Sequence, residues 1–206
     1  MYGPASLGRD AVATKLVDVT MPDSTDPKSH PASTPEKRMT QPIKSPYRIA
    51  AAEVPTFGVA PPSQEAPSTI RVRMVYGTDT GLMIARREKG YHSRPHTHDS
   101  EQWNYIMDGE IWFFINEEGF RCRQGDIVRI PRNAVHWTWV RSVAGCQMLE
   151  THTPSLTGDP DLSGGALALV GPGETPDPNG VTNIFIDFPQ AGEIEQRALK
   201  ADPDAQ

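Results

Sequence analysis

Gly90-Tyr-His-Ser-Arg-Pro-His96-Thr-His98-Asp-Ser-Glu101-Gln102-Trp-Asn-Tyr-Ile-Met-Asp-Gly109 is the stretch on which the reading of this chain turns. Its continuation is Gly125-Asp-Ile-Val-Arg-Ile-Pro131-Arg-Asn133-Ala-Val-His136. Successive side chains on a strand point to opposite faces, so His96 and His98 project to one side. Gln102 shares their parity unless a turn at Asp99-Ser100 resets it. Two imidazoles, an amide and a distant third histidine, His136, form a donor set suited to a divalent metal. A lone His-x-His is weak evidence, since exposed loop histidines are common. The frame of glycine and proline at fixed offsets is what strengthens it.

The first half fits G-x5-H-x-H-x3-E-x6-G, with Gln102 in the acid position. The second fits G-x5-P-x-G-x2-H-x3-N, with Asn133 and Val140 at the departures. Across about residues 68–153 the chain resembles the cupin superfamily, of the small single-domain bacterial type, with the spacer Glu110 to Gln124 between the two halves. The resemblance implies an all-β, double-stranded β-helix (jelly-roll) barrel. It also implies that His96, His98, Gln102 and His136 hold one divalent transition metal. Asn133 in place of Gly is a mild departure, because Asn tolerates positive φ in tight turns.

The strands read from the residues agree. Thr69 to Tyr76 alternates in period two, Leu82 to Glu88 follows after turn residues, and Gln102 to Met107 makes a third strand. Asp108-Gly109 reads as a tight hairpin turn into Glu110–Ile115. Four more strands are expected at Phe120–Arg123, Asp126–Ile130, Val135–Arg141 and Gln147–His152. Thr182–Asp187 is a possible edge strand and Glu193–Ala201 a possible short helix. Residues 1–45 are poor in large apolar side chains and are expected to be disordered. Residues 46–67 read as an irregular Pro-rich arm on the barrel, 68–153 as the barrel, and 154–206 as a Pro/Gly-rich C-terminal extension.

Ile111-Trp-Phe-Phe-Ile115 and Val135–Val140 are apolar on both faces, whereas a barrel strand with a wet outer face should alternate. Either the arm or a second subunit must cover them. A homodimer with Trp137 and Trp139 buried outside the barrel is therefore expected.

With 206 residues and a formal net charge of −6, the chain lacks the basic surface of a nucleic-acid binder. No apolar run is long enough to span a membrane, and no signal-peptide pattern opens the chain, so a cytoplasmic protein is expected. Cys122 and Cys146 form no metal-ligand spacing.

Weaker site candidates surround the ligands. His92 shares the parity of His96 and is a candidate acid/base. Glu101 is a candidate for orienting a ligand histidine, and Tyr105 for touching substrate. Asn104 and Thr138 should face inward, while His152 looks peripheral. Three imidazoles and a neutral amide leave the ion's charge uncompensated, which suits anionic or chelating small molecules. Fe(II) is favoured, with Mn, Ni, Co or Zn compatible. The leading expectation is Fe(II)-type dioxygenase chemistry on an aromatic or diketone-like substrate, because three histidines resemble the core of cupin dioxygenases. The alternatives are a non-redox lyase or isomerase, of the hydroxynitrile-lyase or sugar-acid-processing kind, and a non-catalytic sensing module.

Overall fold

A computed structural model describes residues 45–58, 70–174 and 180–204. The tail expected over 1–45 lies outside the described residues except at its last position, and the arm is described as far as residue 58. The strands, in chain order, are β1 (Phe57–Gly58), β2 (Ile70–Tyr76), β3 (Gly81–Arg87), β4 (His96–Thr97) and β5 (Glu101–Ile115). They continue as β6 (Glu118–Arg123), β7 (Ile127–Ile130), β8 (His136–Trp139), β9 (Cys146–Thr153), β10 (Leu167–Ala168) and β11 (Ile184–Phe185). Two helices follow the barrel proper, α1 (Pro160–Ser163) and α2 (Ala191–Ala201).

Strand β5 organises the rest. Its first half pairs with β9 and β7, and its second half with β8 and β6. One strand therefore belongs to both walls of the barrel. The first wall runs β1-β2-β3-β9-β5, and the second runs from β5 through β8 and β4 to β11. Alternation places Val72, Met74, Met83, Ala85, Ile106 and Met148 in the core between them.

Asp108-Gly109 is not the expected hairpin. The strand continues through it, with a register shift between Ile106 and Asp108, so the pair marks a bulge. Gly109 has φ +74, and a Cβ there would lie 2.1 Å from the Gly145 carbonyl oxygen. The true reversal comes later, at Asn116 (φ 52) before β6. Both a two-residue turn and a bulge call for positive φ, so the dipeptide alone does not separate them.

The apolar outer face of β5 and β8 is covered by the chain's own C-terminus. Trp112, Phe114 and Trp137 pack with Ile194 and Ala198 of α2, with Phe188 against them. Glu195 fixes the helix by accepting from Trp137 Nε1 at 2.7 Å. A second subunit is thus not needed there, and the face that pointed to a homodimer has another cover. Trp137 is fully buried and Trp139 half-buried. From the arm, Val54 is buried and Phe57 packs on the core, while Tyr47 is exposed. Cys122 and Cys146 are free and buried, their thiols pushed up to about 12 and about 11 by desolvation. No helix among the described residues is long and apolar enough to cross a membrane.

Candidate metal centre

His96 comes from β4, His98 follows it, and His136 opens β8 directly across from His96. Candidate ligand atoms of the three imidazoles lie within 4.8 Å of one another. Each ring is oriented by a backbone carbonyl two residues away. His96 Nδ1 donates to Arg94 at 2.9 Å, His98 Nδ1 to Ser100 at 3.2 Å, and His136 Nδ1 to Ala134 at 3.0 Å. A proton on Nδ1 leaves the lone pair on Nε2, so these bonds choose both the tautomer and the donor atom. Desolvation keeps the rings neutral, and repulsion from neighbouring imidazoles adds to it at His96 and His136. The pKa of His96 is lowered to about 4, that of His98 is lowered, and that of His136 falls well below the ordinary value.

Gln102 is buried on β5, with its Oε1 3.1 Å from His98 Nε2. Its amide nitrogen donates to Asn104 Oδ1 at 2.8 Å and Glu150 Oε2 at 3.2 Å. A carboxylate only accepts, so the NH2 end must face Glu150 and the oxygen must face His98. His98 then lies between two acceptors, the Ser100 carbonyl at 3.2 Å and the Gln102 oxygen at 3.1 Å, and a neutral imidazole has one proton for the two, an arrangement that a cation at Nε2 would relieve. The residues present fit a divalent metal on this ground and on their neutral nitrogen and oxygen chemistry.

The other sequence candidates lie elsewhere. Glu101 points outward, as alternation demands, where it binds Arg129 at 2.6 Å and the Trp103 indole at 2.9 Å. Those bonds, with the indole foremost, hold its carboxyl below the usual range. It orients no ligand histidine. Tyr105 has the same outward parity and is 45% exposed. His92 is drawn to the outside as well, because irregular backbone at Ser93-Arg94-Pro95 separates it from β4 and strand parity does not carry across. It stacks on Trp139 at 4.8 Å and meets Glu195 Oε1 at 2.9 Å. None of these three lines the cavity.

The cavity, of about 100 Å³, holds side chains that the motif did not flag. His152 is not peripheral: it sits opposite Gln102 in register, buried, with its ring centroid 5.3 Å from that of His98. Its pKa too falls well below the ordinary value, chiefly through desolvation. Glu150 and Arg87 form an ion pair of 2.8 Å, both buried. Burial raises the Glu150 carboxyl while Arg87 pulls it down, and the net remains above its ordinary value. Arg87 stays charged, and its further contacts are the Met148 sulfur and the Tyr91 ring, neither of which is an anion. Inward parity on β9, set by Met148, would have located Glu150 and His152. The C-terminal extension contributes Leu156, Asp159, Asp161, Leu162, Asn183 and Phe185 to the lining.

A family model described as the AraC-like ligand binding domain matches residues 82–174. With that match over both motif halves, and with β5 shared between two antiparallel walls around converging histidines, the architecture is settled. The barrel has the cupin fold. Solved structures similar to this cupin barrel include one from Acidithiobacillus ferrooxidans, named for sugar phosphate isomerisation. At 19% identity and a TM-score of 0.35, the match covers 36% of this chain and only half of that one. An RmlC-like cupin from Shewanella frigidimarina is 15% identical at a TM-score of 0.46, over 56% of this chain and 95% of that one. The polyketide cyclase RemF from Streptomyces resistomycificus is 13% identical at 0.45, over 58% and 97%. No curated protein matches the chain.

Proposed function

We propose that this cupin is a metal-dependent enzyme acting on a small, oxygen-rich organic molecule in the barrel cavity, by non-redox chemistry of the lyase or isomerase kind. The observation that carries it is the clustering of three buried imidazoles with Gln102 Oε1 turned towards His98 Nε2 at 3.1 Å. A bound divalent ion, Fe, Mn, Ni, Co or Zn, would supply Lewis-acid polarisation of a substrate oxygen. His96, His98, Gln102 and His136 would hold it without adding negative charge, which favours an anionic or chelating substrate. Around them the wall sets His152, Glu150, Arg87, Asp159 and Asn183 among the apolar side chains of Ile70, Met83, Leu156 and Leu162, and the polar groups bind and orient hydroxyl, carbonyl or carboxylate functions.

Fe(II)-type dioxygenase chemistry ranks second. It keeps the three-histidine core, but the aromatic wall that favoured an aromatic substrate faces away. Trp112, Phe114 and Trp137 pack against α2, and the aromatic rings besides histidine at the cavity are Tyr91 and Phe185. A non-catalytic binding module is the third reading, favoured by the description of the matching family model.

Metal analysis of the protein from its native host, followed by turnover and oxygen-uptake assays on hydroxy acids, hydroxy ketones, diketones and hydroxylated aromatics, separates the three. We expect one divalent ion per chain, weakened by Gln102→Ala but untouched by Glu101→Ala, and turnover without oxygen uptake. Oxygen consumed in step with product would put the dioxygenase first. Tight ligand binding with no turnover on any class would leave a binding module.

We also propose a homodimer, formed on a different face from the one first expected. Across the outer side of the first wall runs the row Ile84, Leu149, Tyr105, Ile127. Trp103 and Met107 flank it, and Tyr105 and Ile127 are 45% and 68% exposed. An apolar patch of this kind left uncovered favours a self-complementary contact.

A further inference from the structure

Gln102 is an awkward metal ligand, because an amide presents an oxygen in one orientation and an N–H donor in the other. A rotation of about 180° about its last bond would turn the lone pair away from the centre. Something must hold the amide one way round. Its NH2 group donates to two acceptors, Asn104 Oδ1 and Glu150 Oε2. An Asn side chain can present either end, so Asn104 alone sets no direction. Glu150 can, because its other oxygen faces the Arg87 guanidinium, which only donates, so the carboxyl accepts on both sides.

Glu150 lies next to Asn104 in the ladder and is 2% exposed. A carboxylate so deeply buried is costly unless paired. Arg87 provides the partner at 2.8 Å, reaching back from the far end of β3 along the inward face. The chain of contacts is directional: Arg87 offers Glu150 Oε1 only N–H donors, Glu150 Oε2 takes the amide N–H, and the amide oxygen is left facing His98.

We propose that Glu150, held between Arg87 and the amide, is a positioning residue that fixes the Gln102 amide with its oxygen towards the metal centre. The proposal rests on the metal-centre reading above. In this chain the proposed ligand position on β5 holds a neutral amide, and an acidic group stands on β9 across from Asn104. There it controls a neutral ligand instead of being one.

The test titrates Mn(II) alone into the metal-free full chain and reads free Mn(II) by electron paramagnetic resonance. Glu150→Asp keeps the charge opposite Arg87 but withdraws the carboxylate from the amide by one methylene. Mn(II) affinity is expected to fall roughly 10–100-fold, with little change in the melting of the metal-free protein. Arg87→Met/Glu150→Leu replaces the pair by apolar side chains, an exchange that buried ion pairs often tolerate. Affinity should fall in it as well, and it carries the test if Glu150→Asp loses its cooperative melt. In that background Gln102→Glu offers an oxygen whichever way it turns and should restore binding. In the wild-type background the same change meets the Glu150 charge and should gain less.

Equal Mn(II) affinity in wild type and a folded Glu150→Asp protein overturns the inference and leaves the metal centre standing. So does an identical gain from Gln102→Glu in both backgrounds. A wild-type chain that takes up no Mn(II) overturns the metal centre, and this inference with it.

Discussion

His96, His98, His136 and His152 are crowded together and buried, and each has a pKa below that of an exposed imidazole. In the unfolded chain the same rings take up a proton near pH 6.5. Between that value and the folded value, about 4 for His96, the unfolded state binds more protons. Stability of the metal-free protein must therefore rise with pH through this window and fall on acidification. Thermal melts of metal-free protein at pH 7, 5.5 and 4.5 should show midpoints falling in that order. A flat profile would mean that these rings are solvated. At this scale the cluster of three histidines was legible because glycine and proline hold its spacing in the chain. Arg87 was not, and for Glu150 and His152 the parity of β9 puts both on the face of Met148 without saying that this face lines the cavity. They reach the cavity only through the pairing of β3, β9 and β5, which brings together residues far apart in sequence.

Two elements test the packing. Gly109 holds a left-handed backbone against the Gly145 carbonyl. Gly109→Ala adds strain of roughly 1–3 kcal/mol before the steric contact is counted, so the urea midpoint should drop clearly. A hairpin turn open to solvent would have tolerated the methyl. The second element is α2, which seals the aromatic outer face of β8. Ile194→Ala should cost about 2–5 kcal/mol, as for other buried large-to-small changes. The strands were legible from alternation and turn residues. The bulge was not, because Asp-Gly has the same local chemistry whether the chain reverses or is kinked by a distant partner. The cover on Trp137 was also misplaced, although the helix itself was expected near its true position. An apolar face shows that a partner exists and does not say which segment supplies it.

For the whole molecule, the outer row through Tyr105 and Ile127 predicts a dimer by light scattering. Ile127→Glu should give a folded monomer, because its side chain is already mostly exposed and places no load on the core. An unchanged dimer in that variant would move the interface elsewhere. The barrel was legible as a class of fold, while the contribution of the C-terminal extension to the cavity was not. Its Pro- and Gly-rich composition carries no period from which a destination can be read.

Strand β5 has neighbours on both sides along most of its length, whereas β4, β10 and β11 are two-residue pairings. Amide hydrogens exchange by local opening, and opening is cheapest where few bonds must break together. Residues 102–106 and 111–115 should therefore retain their protons longest, with a faster gap at the bulge. Residues 96–97 and 184–185 should exchange early. The proposed ligands would then be drawn from segments of unequal permanence. Gln102 stands on the part of the barrel that opens last, and His96 on a short strand that opens among the first. Exchange of the bound ion with solvent would proceed by release from the His96 side, while Gln102 and its carboxylate keep the place for the next ion.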